Sequence, residues 1–306
     1  MNRTKTLVCI VILLCFSIIF YIFCVKFDEI CDYLADKIQD LTRGEIIIPE
    51  TKLYSKEYEF KTVKKTMNFV PMDKNDLKEI YYTVLNNGWE SFTFYCPREY
   101  IGCAEDVKNL ANESEFISTI NNYVSPFNSY KKYNTLIIGE DEILLTVEKL
   151  YSNQEIELLK QEIDIVLKAL EIDKNNIVQK DIRKIHDYLT KTVSYDNEYV
   201  EGDIFTISNK ANGALINNVA LCSGYTDAFA LFMDELGIEN FKVSTENHVW
   251  NVIYFNDQWL HVDVTWDDDE VNNKTTHYFF LIDTVDLLDK DKTDHSFNQE
   301  LYLELQ

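Results

Sequence analysis

An amphipathic helix followed by a hairpin, between Ala220 and Asp269, is the feature that most restricts the fold of this chain. Apolar residues in the helix recur at steps of three and four, and Gly237 follows as a stop signal. These apolar residues are Tyr225, Phe229, Phe232, Met233 and Leu236. Cys222 opens the predicted helix, where unsatisfied backbone N–H groups and the positive end of the helix dipole favour a thiolate. Gly224 leaves room there for another backbone segment to approach closely.

Three segments rich in β-branched and aromatic residues follow the helix: FKVST, NHVWNVIYF and QWLHVDVTW. Asn256-Asp257 separates the last two and predicts a two-residue turn, so these segments should form an antiparallel hairpin. If the residues flanking this turn pair, Trp250 lies opposite Asp263. His248 and Asp263 then become diagonal neighbours about 7–8 Å apart, which a hydrogen bond between imidazole and carboxylate can bridge.

Cysteine, histidine and aspartate therefore follow one another in an order suited to nucleophilic catalysis. Cys222 would be the nucleophile, His248 the general base, and Asp263 the acid that orients the imidazole. The backbone N–H of Cys222 would supply one oxyanion donor.

The motifs LCSGY, HVWN and DVTWD resemble the cysteine, histidine and aspartate motifs of the transglutaminase-like superfamily, whose core is papain-like. KIHDYLTKTVSYD, from Lys184 to Asp196, resembles the helix that opens such domains, and the resemblance covers about Asn175 to His295. It is a resemblance to bacterial, membrane-anchored proteins of the cell surface. It implies an α+β fold in which the helix carrying the cysteine packs on an antiparallel sheet.

The resemblance also implies catalytic roles for Cys222, His248 and Asp263 in an enzyme that acts on peptide or amide bonds through an acyl-enzyme. Hydrolysis and protein crosslinking both remain open. The alternative is a catalytically inactive surface module that uses the same cleft to bind protein or glycan. His261 shares the face of His248 and is a rival base, but its neighbours do not match the family motif, so we interpret it as a core or rim histidine.

Two further features have alternative interpretations. Trp250, Trp259 and Trp266 suit either a substrate cleft or aromatic packing, and packing is the better explanation for at least two of them. The acidic run from Asp267 to Glu270 suggests a calcium loop. Because it lacks the glycine and the spaced ligands of an EF-hand, we interpret it as a solvated acidic turn.

The amino-terminal segment has the pattern of a membrane anchor. Leu7 to Val25 contains no charged residue and follows Arg3 and Lys5. At about 1.5 Å per residue, a helix of this length nearly spans the hydrocarbon core. No A-x-A pattern follows, so an uncleaved anchor is favoured over a signal peptide. The charge asymmetry predicts a single-pass protein of the cell membrane with an extracellular body.

We divide the chain into a transmembrane anchor (residues 1–25), a juxtamembrane segment (26–58), a small α/β module (59–150) and a transglutaminase-like domain (151–306). In the module, DKNDLKEIYYTVLNNG predicts a helix, and ESFTFY, YNTLIIG and EILLTVEKL predict strands, which together give βαβ-like content. Cys96, Pro97 and Cys103 fall in a predicted loop. Ser152 and Glu155 form a capping box that begins the helix joining the two parts.

Charge and cysteine usage limit the partners. A formal net charge of −23 argues against nucleic acid, whose phosphates need Lys and Arg. Zinc-ligand spacing is absent among the seven cysteines, and we expect no metal and no cofactor. An extracellular body permits a Cys96–Cys103 disulfide and leaves Cys222 free. We therefore expect a protein or peptide substrate at the cell envelope, with the membrane as partner of the N-terminal helix.

Overall fold

The computed structural model describes residues 3–198, 206–269 and 274–306. The chain divides into two compact units, Met1–Ile46 and Ile47–Gln306. Glu270, which the sequence assigns to the acidic turn, lies outside the described residues.

The first unit contains helix α1, Arg3–Thr42, in which the predicted apolar span lies. Among the described residues, no single helix combines the length and apolar composition of a membrane span. Two helical stretches, Val11–Phe27 and Glu29–Ala35, meet at a bend of 52°. Taken together, they have the length and the apolar composition of a membrane span. The transmembrane anchor therefore stays a prediction.

The second unit mixes helices and strands. Its helices are α2 (Lys74–Asn86), α3 (Cys103–Asn112), α4 (Ser114–Asn122), α5 (Asn153–Ala169), α6 (Gln179–Thr192), α7 (Cys222–Glu235), α8 (Val264–Asp267) and α9 (Thr284–Lys290). Shorter 3₁₀ turns occupy Pro126–Asn128, Ile207–Asn209, Gln299–Leu301 and Leu303–Leu305, and Gly213–Asn217 is a π-helix.

The strands of this unit are β1 (Ser91–Tyr95), β2 (Tyr130–Ile138), β3 (Glu142–Lys149), β4 (Ser194–Tyr195), β5 (Val219–Ala220), β6 (Asn240–Ser244), β7 (Val249–Phe255), β8 (Gln258–Val262), β9 (Asp268–Asp269), β10 (Lys274–Thr275) and β11 (Phe280–Ile282). They form a three-stranded sheet of order β1-β3-β2, a four-stranded sheet of order β11-β8-β7-β6, and two-stranded pairs β9–β10 and β4–β5. Both larger sheets are antiparallel, which confirms the mixed α+β fold class.

The predicted helix and strands before residue 150 form at the expected places, but their arrangement differs from a βαβ unit. β3 lies between β1 and β2 and pairs with both in antiparallel register. The βαβ interpretation is wrong, because β2 returns directly into β3 through a tight turn without a crossover helix. Cys103 begins α3 rather than lying in a loop, and its disulfide with Cys96 confirms the predicted pairing.

The hairpin of β7 and β8 has the predicted register. Phe255 pairs with Gln258, and Asn256 and Asp257 adopt left-handed φ values of 52° and 61°, as a two-residue turn of the primed type requires. The predicted strand QWLHVDVTW is wrong beyond Val262, since α8 follows. The carboxylate of Asp263 accepts the backbone N–H of Trp266 at 3.0 Å and so caps this short helix.

One hydrophobic cluster joins α5, α6 and α7 to the four-stranded sheet. Buried apolar residues from each helix meet residues of the sheet in this cluster, among them Ile163, Ile185, Phe229, Ile253 and Val262. The predicted capping box at the start of α5 is confirmed, because Glu155 N–H bonds Ser152 Oγ and the Glu155 carboxylate accepts from Ser152 N–H. Packing against this cluster fixes the position at which α7 begins.

Side chains on either side of residue 150 contact each other within the second unit. Lys56 Nζ donates to the backbone oxygen of Asn240 at 2.6 Å, and Asn122 Nδ2 donates to Ser244 Oγ at 2.8 Å. Near the chain end, the Glu304 carboxylate accepts the Thr62 hydroxyl at 2.6 Å. The residues before 150 therefore pack against strand β6 and the carboxyl-terminal segment. The boundary at 150/151 stays a prediction.

Candidate active site

Cys222 is the first residue of α7, as the sequence predicts, and its side chain is half-buried. As the first helical residue, it has no intrahelical acceptor for its backbone N–H. Gly224 allows the helix to begin here, since a Cβ at Gly224 would lie 2.5 Å from the backbone oxygen of Ser208 and 3.0 Å from that of Lys210. The predicted close approach of another backbone is thus confirmed.

The hairpin brings His248 and Asp263 together. His248 stands just before β7 and Asp263 just after β8, and both are buried. His248 Nε2 lies 2.5 Å from Asp263 Oδ2, which is the imidazole–carboxylate contact expected for diagonal neighbours.

The Cys222 side chain also interacts with His248 and raises the pKa of its imidazole. Because Nε2 is engaged by Asp263, Nδ1 is the ring nitrogen left for the sulfur. Burial lowers the pKa of His248, but the Asp263 carboxylate and the Cys222 side chain raise it more strongly, to about 10. The structure therefore brings all three predicted site residues together, with an imidazole that favours its protonated form.

Asp263 holds more than the one histidine. Its Oδ1 accepts the Trp266 N–H, and its Oδ2 accepts from both His248 Nε2 and His295 Nε2, the latter at 2.9 Å. Burial raises the pKa of this carboxyl, but the charges and hydrogen bonds of the two histidines outweigh burial and hold the pKa well below its ordinary value. Asp263 is thus an ionised carboxylate in the protein interior.

His295 is a site residue that the sequence reasoning did not find. It is fully buried and lies 32 positions from Asp263 along the chain, in a segment without strand or helix pattern. The one local signal is Asp291, four residues earlier, whose Oδ2 lies 2.8 Å from His295 Nδ1.

The rival base His261 is fully buried in the core, as interpreted from the sequence. Burial and the positive charge of His295 lower its pKa to about 3. The three tryptophans also divide as expected, because Trp250 is buried and Trp259 packs on Phe241 at 5.0 Å between ring centroids. Trp266 is 40% exposed and lies 6.0 Å from the His248 ring, so it is the one that borders the site.

The solvated acidic turn is a wrong interpretation for Asp267, which is fully buried. Its carboxylate accepts the Thr276 hydroxyl at 2.5 Å, the Tyr278 N–H at 2.7 Å and the Phe279 N–H at 3.2 Å. His186 Nε2 lies 3.2 Å away. The acidic run in the sequence does not show that Asp267 binds a later segment, because the donors belong to residues 276–279.

Two clusters among the described residues have nitrogen and oxygen donors close enough for a metal: His186, Asp187 and His277, and His248, Asp263 and His295. In the first cluster, the Arg183 guanidinium lies 3.1 Å from both ring nitrogens of His277, so a cation would meet a positive charge. In the second, both histidines already use the ring nitrogen that faces Asp263 in a hydrogen bond. Hydrogen bonds account for both clusters.

Comparison with known proteins gives the class of this region. Residues 168–264 match the family model of the transglutaminase-like superfamily, and they include Cys222, His248 and Asp263. This region is therefore similar to the transglutaminase-like superfamily domain. No curated protein sequence matches the chain.

Solved structures similar to the chain include three with low scores. A TGase structure shares 14% identity over 45% of this chain and 44% of its own, with a TM-score of 0.34. A candidate cysteine protease from Cytophaga hutchinsonii shares 11% over 44% of this chain and 61% of its own, with a TM-score of 0.28. Menin, whose structure reveals a binding site for Mixed Lineage Leukemia protein, shares 14% over 69% and 39%, with a TM-score of 0.32. The chain spans less than two thirds of each of these structures.

Proposed function

We propose that this chain is a cysteine enzyme that acts on peptide or amide bonds through Cys222, His248 and Asp263. The observation that carries the proposal is the His248 imidazole, which is hydrogen-bonded to the buried Asp263 carboxylate and interacts with the Cys222 side chain. The transglutaminase-like family match over residues 168–264 supports it. Nucleophile, base and orienting acid have the roles that acyl transfer requires.

In the first half-reaction, the Cys222 thiolate attacks the substrate carbonyl carbon, and a C–S bond forms as the carbonyl electrons move to oxygen. The Cys222 backbone N–H, at the start of α7, donates to that oxyanion. The protonated His248 gives its proton to the departing amine as the C–N bond breaks, and a thioester remains on Cys222. Asp263 holds the imidazole through Nε2, so Nδ1 performs the transfer.

In the second half-reaction, a water or a primary amine attacks the thioester and gives its proton to neutral His248. The C–S bond breaks, and Cys222 leaves as a thiolate paired with the imidazolium. Water gives a carboxylic acid and an amine gives a new amide, so hydrolase and crosslinking activities differ only in the second nucleophile. The same residues serve both.

The full chain can be tested with p-nitrophenyl acetate, an activated ester that acylates reactive thiols. We expect a burst of nitrophenol and an acetyl group on Cys222. Because Cys15, Cys24 and Cys31 are also free thiols, peptide mapping must assign the modified residue. Cys222→Ser is the matched control, and His248→Ala should slow the burst strongly. Adding a fluorescent primary amine then separates hydrolysis from acyl transfer.

An unmodified Cys222 in folded protein would instead favour the inactive surface module that binds protein or glycan in the same cleft. Equal acylation of wild type and His248→Ala would contradict the triad, because the thiol would then react without its base.

We further propose a cell-membrane location with the body outside and a protein or peptide substrate at the envelope. The uncharged stretch after Arg3 and Lys5 supports the anchor. The Cys96–Cys103 disulfide supports an oxidising compartment. Protease added to intact cells should remove the body, whereas a mature chain that begins near residue 25 and is free in the medium would contradict an anchor. The net charge of −23 disfavours nucleic acid as a partner.

A further inference from the structure

His295 is bound at both ring nitrogens by carboxylates. Nε2 lies 2.9 Å from Asp263 Oδ2, and Nδ1 lies 2.8 Å from Asp291 Oδ2. An ionised carboxylate only accepts hydrogen bonds, so each nitrogen must carry a proton to make its bond. The geometry is therefore that of an imidazolium held between two anions, with no exposed surface.

The Asp291 carboxylate is held against the His295 ring by several hydrogen bonds. Besides His295 Nδ1, this carboxylate accepts the Thr293 N–H and hydroxyl and the backbone N–H groups of Asp294 and His295. Burial raises the pKa of Asp291, but the hydrogen bonds from Thr293 and His295 lower it more, well below its ordinary value. The turn from Asp291 to His295 thus fixes one anion against the histidine.

Aromatic rings fix the plane of His295. Phe279 stacks on it with centroids 4.7 Å apart and planes 16° apart, and Trp250 and Trp266 meet it edge to face at 4.8 and 4.9 Å. The ring therefore has little freedom to leave Asp263, and the hydrogen bond to Oδ2 is held by packing as well as by charge.

The charges of His295 and His248 act on the same carboxylate oxygen. The two rings are 5.3 Å apart, and both donate to Asp263 Oδ2. The titratable groups facing His295 are Asp263, Asp291, His248 and His261.

The groups facing His248 are Asp263, Cys222 and His295, and Tyr195 interacts with Cys222 from β4. Two like charges at this distance repel measurably even in a partly hydrated site.

We propose that His295 is a positioning residue for the reaction proposed above: it holds the Asp263 carboxylate towards His248 and adds a fixed positive charge beside the thiolate–imidazolium pair. This inference rests on the proposed function. Its consequence is electrostatic, because removing one positive charge makes every nearby group bind its proton more tightly. A residue that only fills space would not have that effect.

Substitutions can separate charge from shape. His295→Gln keeps an amide donor within reach of Asp263 and removes the charge. Asp291→Asn keeps the shape of the turn and removes the anion that holds His295 protonated. Asp294→Asn is the matched control, since it removes one negative charge from the same turn without touching the His295 ring.

The experiment measures labelling of Cys222 by iodoacetamide, a neutral reagent, against pH in the full chain. For His295→Gln we expect the midpoint of labelling to move upward by about half a pH unit, between wild type and His248→Ala. Asp291→Asn should move it in the same direction by less. Asp294→Asn should leave it unchanged or move it slightly downward.

The outcomes are distinguishable. If wild type and His248→Ala label identically, the proposed function fails. If they differ but His295→Gln keeps the wild-type midpoint and only labels more slowly, the proposed function stands and the positioning role is overturned.

A measurement on wild type covers the case in which the variants do not fold. The chain has five histidines, so ¹⁵N-histidine labelling gives few signals. Both ring nitrogens of His295 should appear protonated at pH 7, and a neutral His295 ring would overturn the inference.

Discussion

The indole Nε1–H of Trp250 donates to Nδ1 of His261 at 2.9 Å, and both side chains are fully buried. This hydrogen bond uses the lone pair that a general base would need. His261 Nε2 lies 3.1 Å from the Thr284 hydroxyl, so a neutral ring satisfies both neighbours. The pKa of His261 is lowered to about 3, because burial and the nearby charge of His295 both disfavour a proton on the ring. His261 therefore forms hydrogen bonds within the core, and His248 is the histidine that interacts with Cys222.

The first prediction concerns these two histidines. His261→Phe keeps the ring volume but leaves the Trp250 N–H without its acceptor, which should lower the free energy of unfolding by about 1–3 kcal/mol. The pH profile of Cys222 labelling should stay close to that of wild type. Urea denaturation and iodoacetamide labelling measure the two effects. A labelling profile shifted as far as that of His248→Ala would contradict the assignment.

The second prediction concerns pH and the stability supplied by His248. Its folded-state pKa of about 10 lies above the ordinary 6.5 of the unfolded chain, so the folded protein binds this proton more tightly. The stabilisation is present in full below pH 6.5 and is lost as pH rises through about 10. The difference in unfolding free energy between wild type and His248→Gln should therefore shrink from pH 6.5 to pH 10.

Protonation of Asp263 determines how the stability supplied by the same ion pair changes at low pH. Its pKa is depressed, so its contribution is present above the ordinary value near 4 and is lost as pH falls further. Denaturation curves recorded from acid to alkaline pH measure the contributions of both Asp263 and His248. A difference between wild type and His248→Gln that stays constant from pH 6.5 to pH 10 would show that the ion pair does not contribute as described.

Short-range signals predicted the parts of this site that lie close together in sequence. The start of α7 follows from apolar spacing and Gly237, and the register of β7 and β8 follows from a two-residue turn. His248 and Asp263 are only 15 positions apart, so turn geometry alone brings them together. The contact of Cys222 with His248 needed the resemblance to a known family, because helix and hairpin signals do not say how the two elements pack.

The parts that the sequence did not predict depend on long-range packing or on a side chain that competes with local propensity. VTW has strand propensity, but the Asp263 carboxylate caps a short helix instead. His295 reaches Asp263 only because the segment after α9 packs on Phe279 and Trp250. No periodic pattern encodes that placement. Burial of Asp267 likewise depends on backbone donors supplied by a later segment.

The third prediction concerns the disulfide between Cys96 and Cys103. The two residues are seven positions apart, so the bond closes a small loop at the start of α3. In the chain-entropy model, a loop of this size stabilises the fold by about 2–3 kcal/mol. Replacing both cysteines by Ser should lower the urea midpoint accordingly. Acylation of Cys222 should keep its pH profile, since the described partners of the triad are Trp266 and His295. An unchanged urea midpoint would show that the loop is already ordered without the bond.

The last prediction concerns Gly224, where the usual effect of a glycine substitution should reverse. Gly→Ala within a helix ordinarily stabilises by about 0.5–1 kcal/mol. Here the new Cβ would lie 2.5 Å from Ser208 O and 3.0 Å from Lys210 O, and both are backbone atoms that cannot rotate away. Gly224→Ala should therefore destabilise the protein by about 1–3 kcal/mol.

The same substitution should also slow acylation of Cys222. Relief of the clash moves the first turn of α7 away from residues 208–210, and Cys222 lies in that turn. Ser223→Ala is the matched control, because it adds no atom to the contact and removes only the long hydrogen bond, 3.4 Å, that Asn209 Nδ2 donates to Ser223 Oγ. Urea denaturation and the nitrophenol burst measure the two effects. If Gly224→Ala were as stable as Ser223→Ala and acylated as fast, the close approach of the 208–210 backbone would not be what sets the position of the nucleophile.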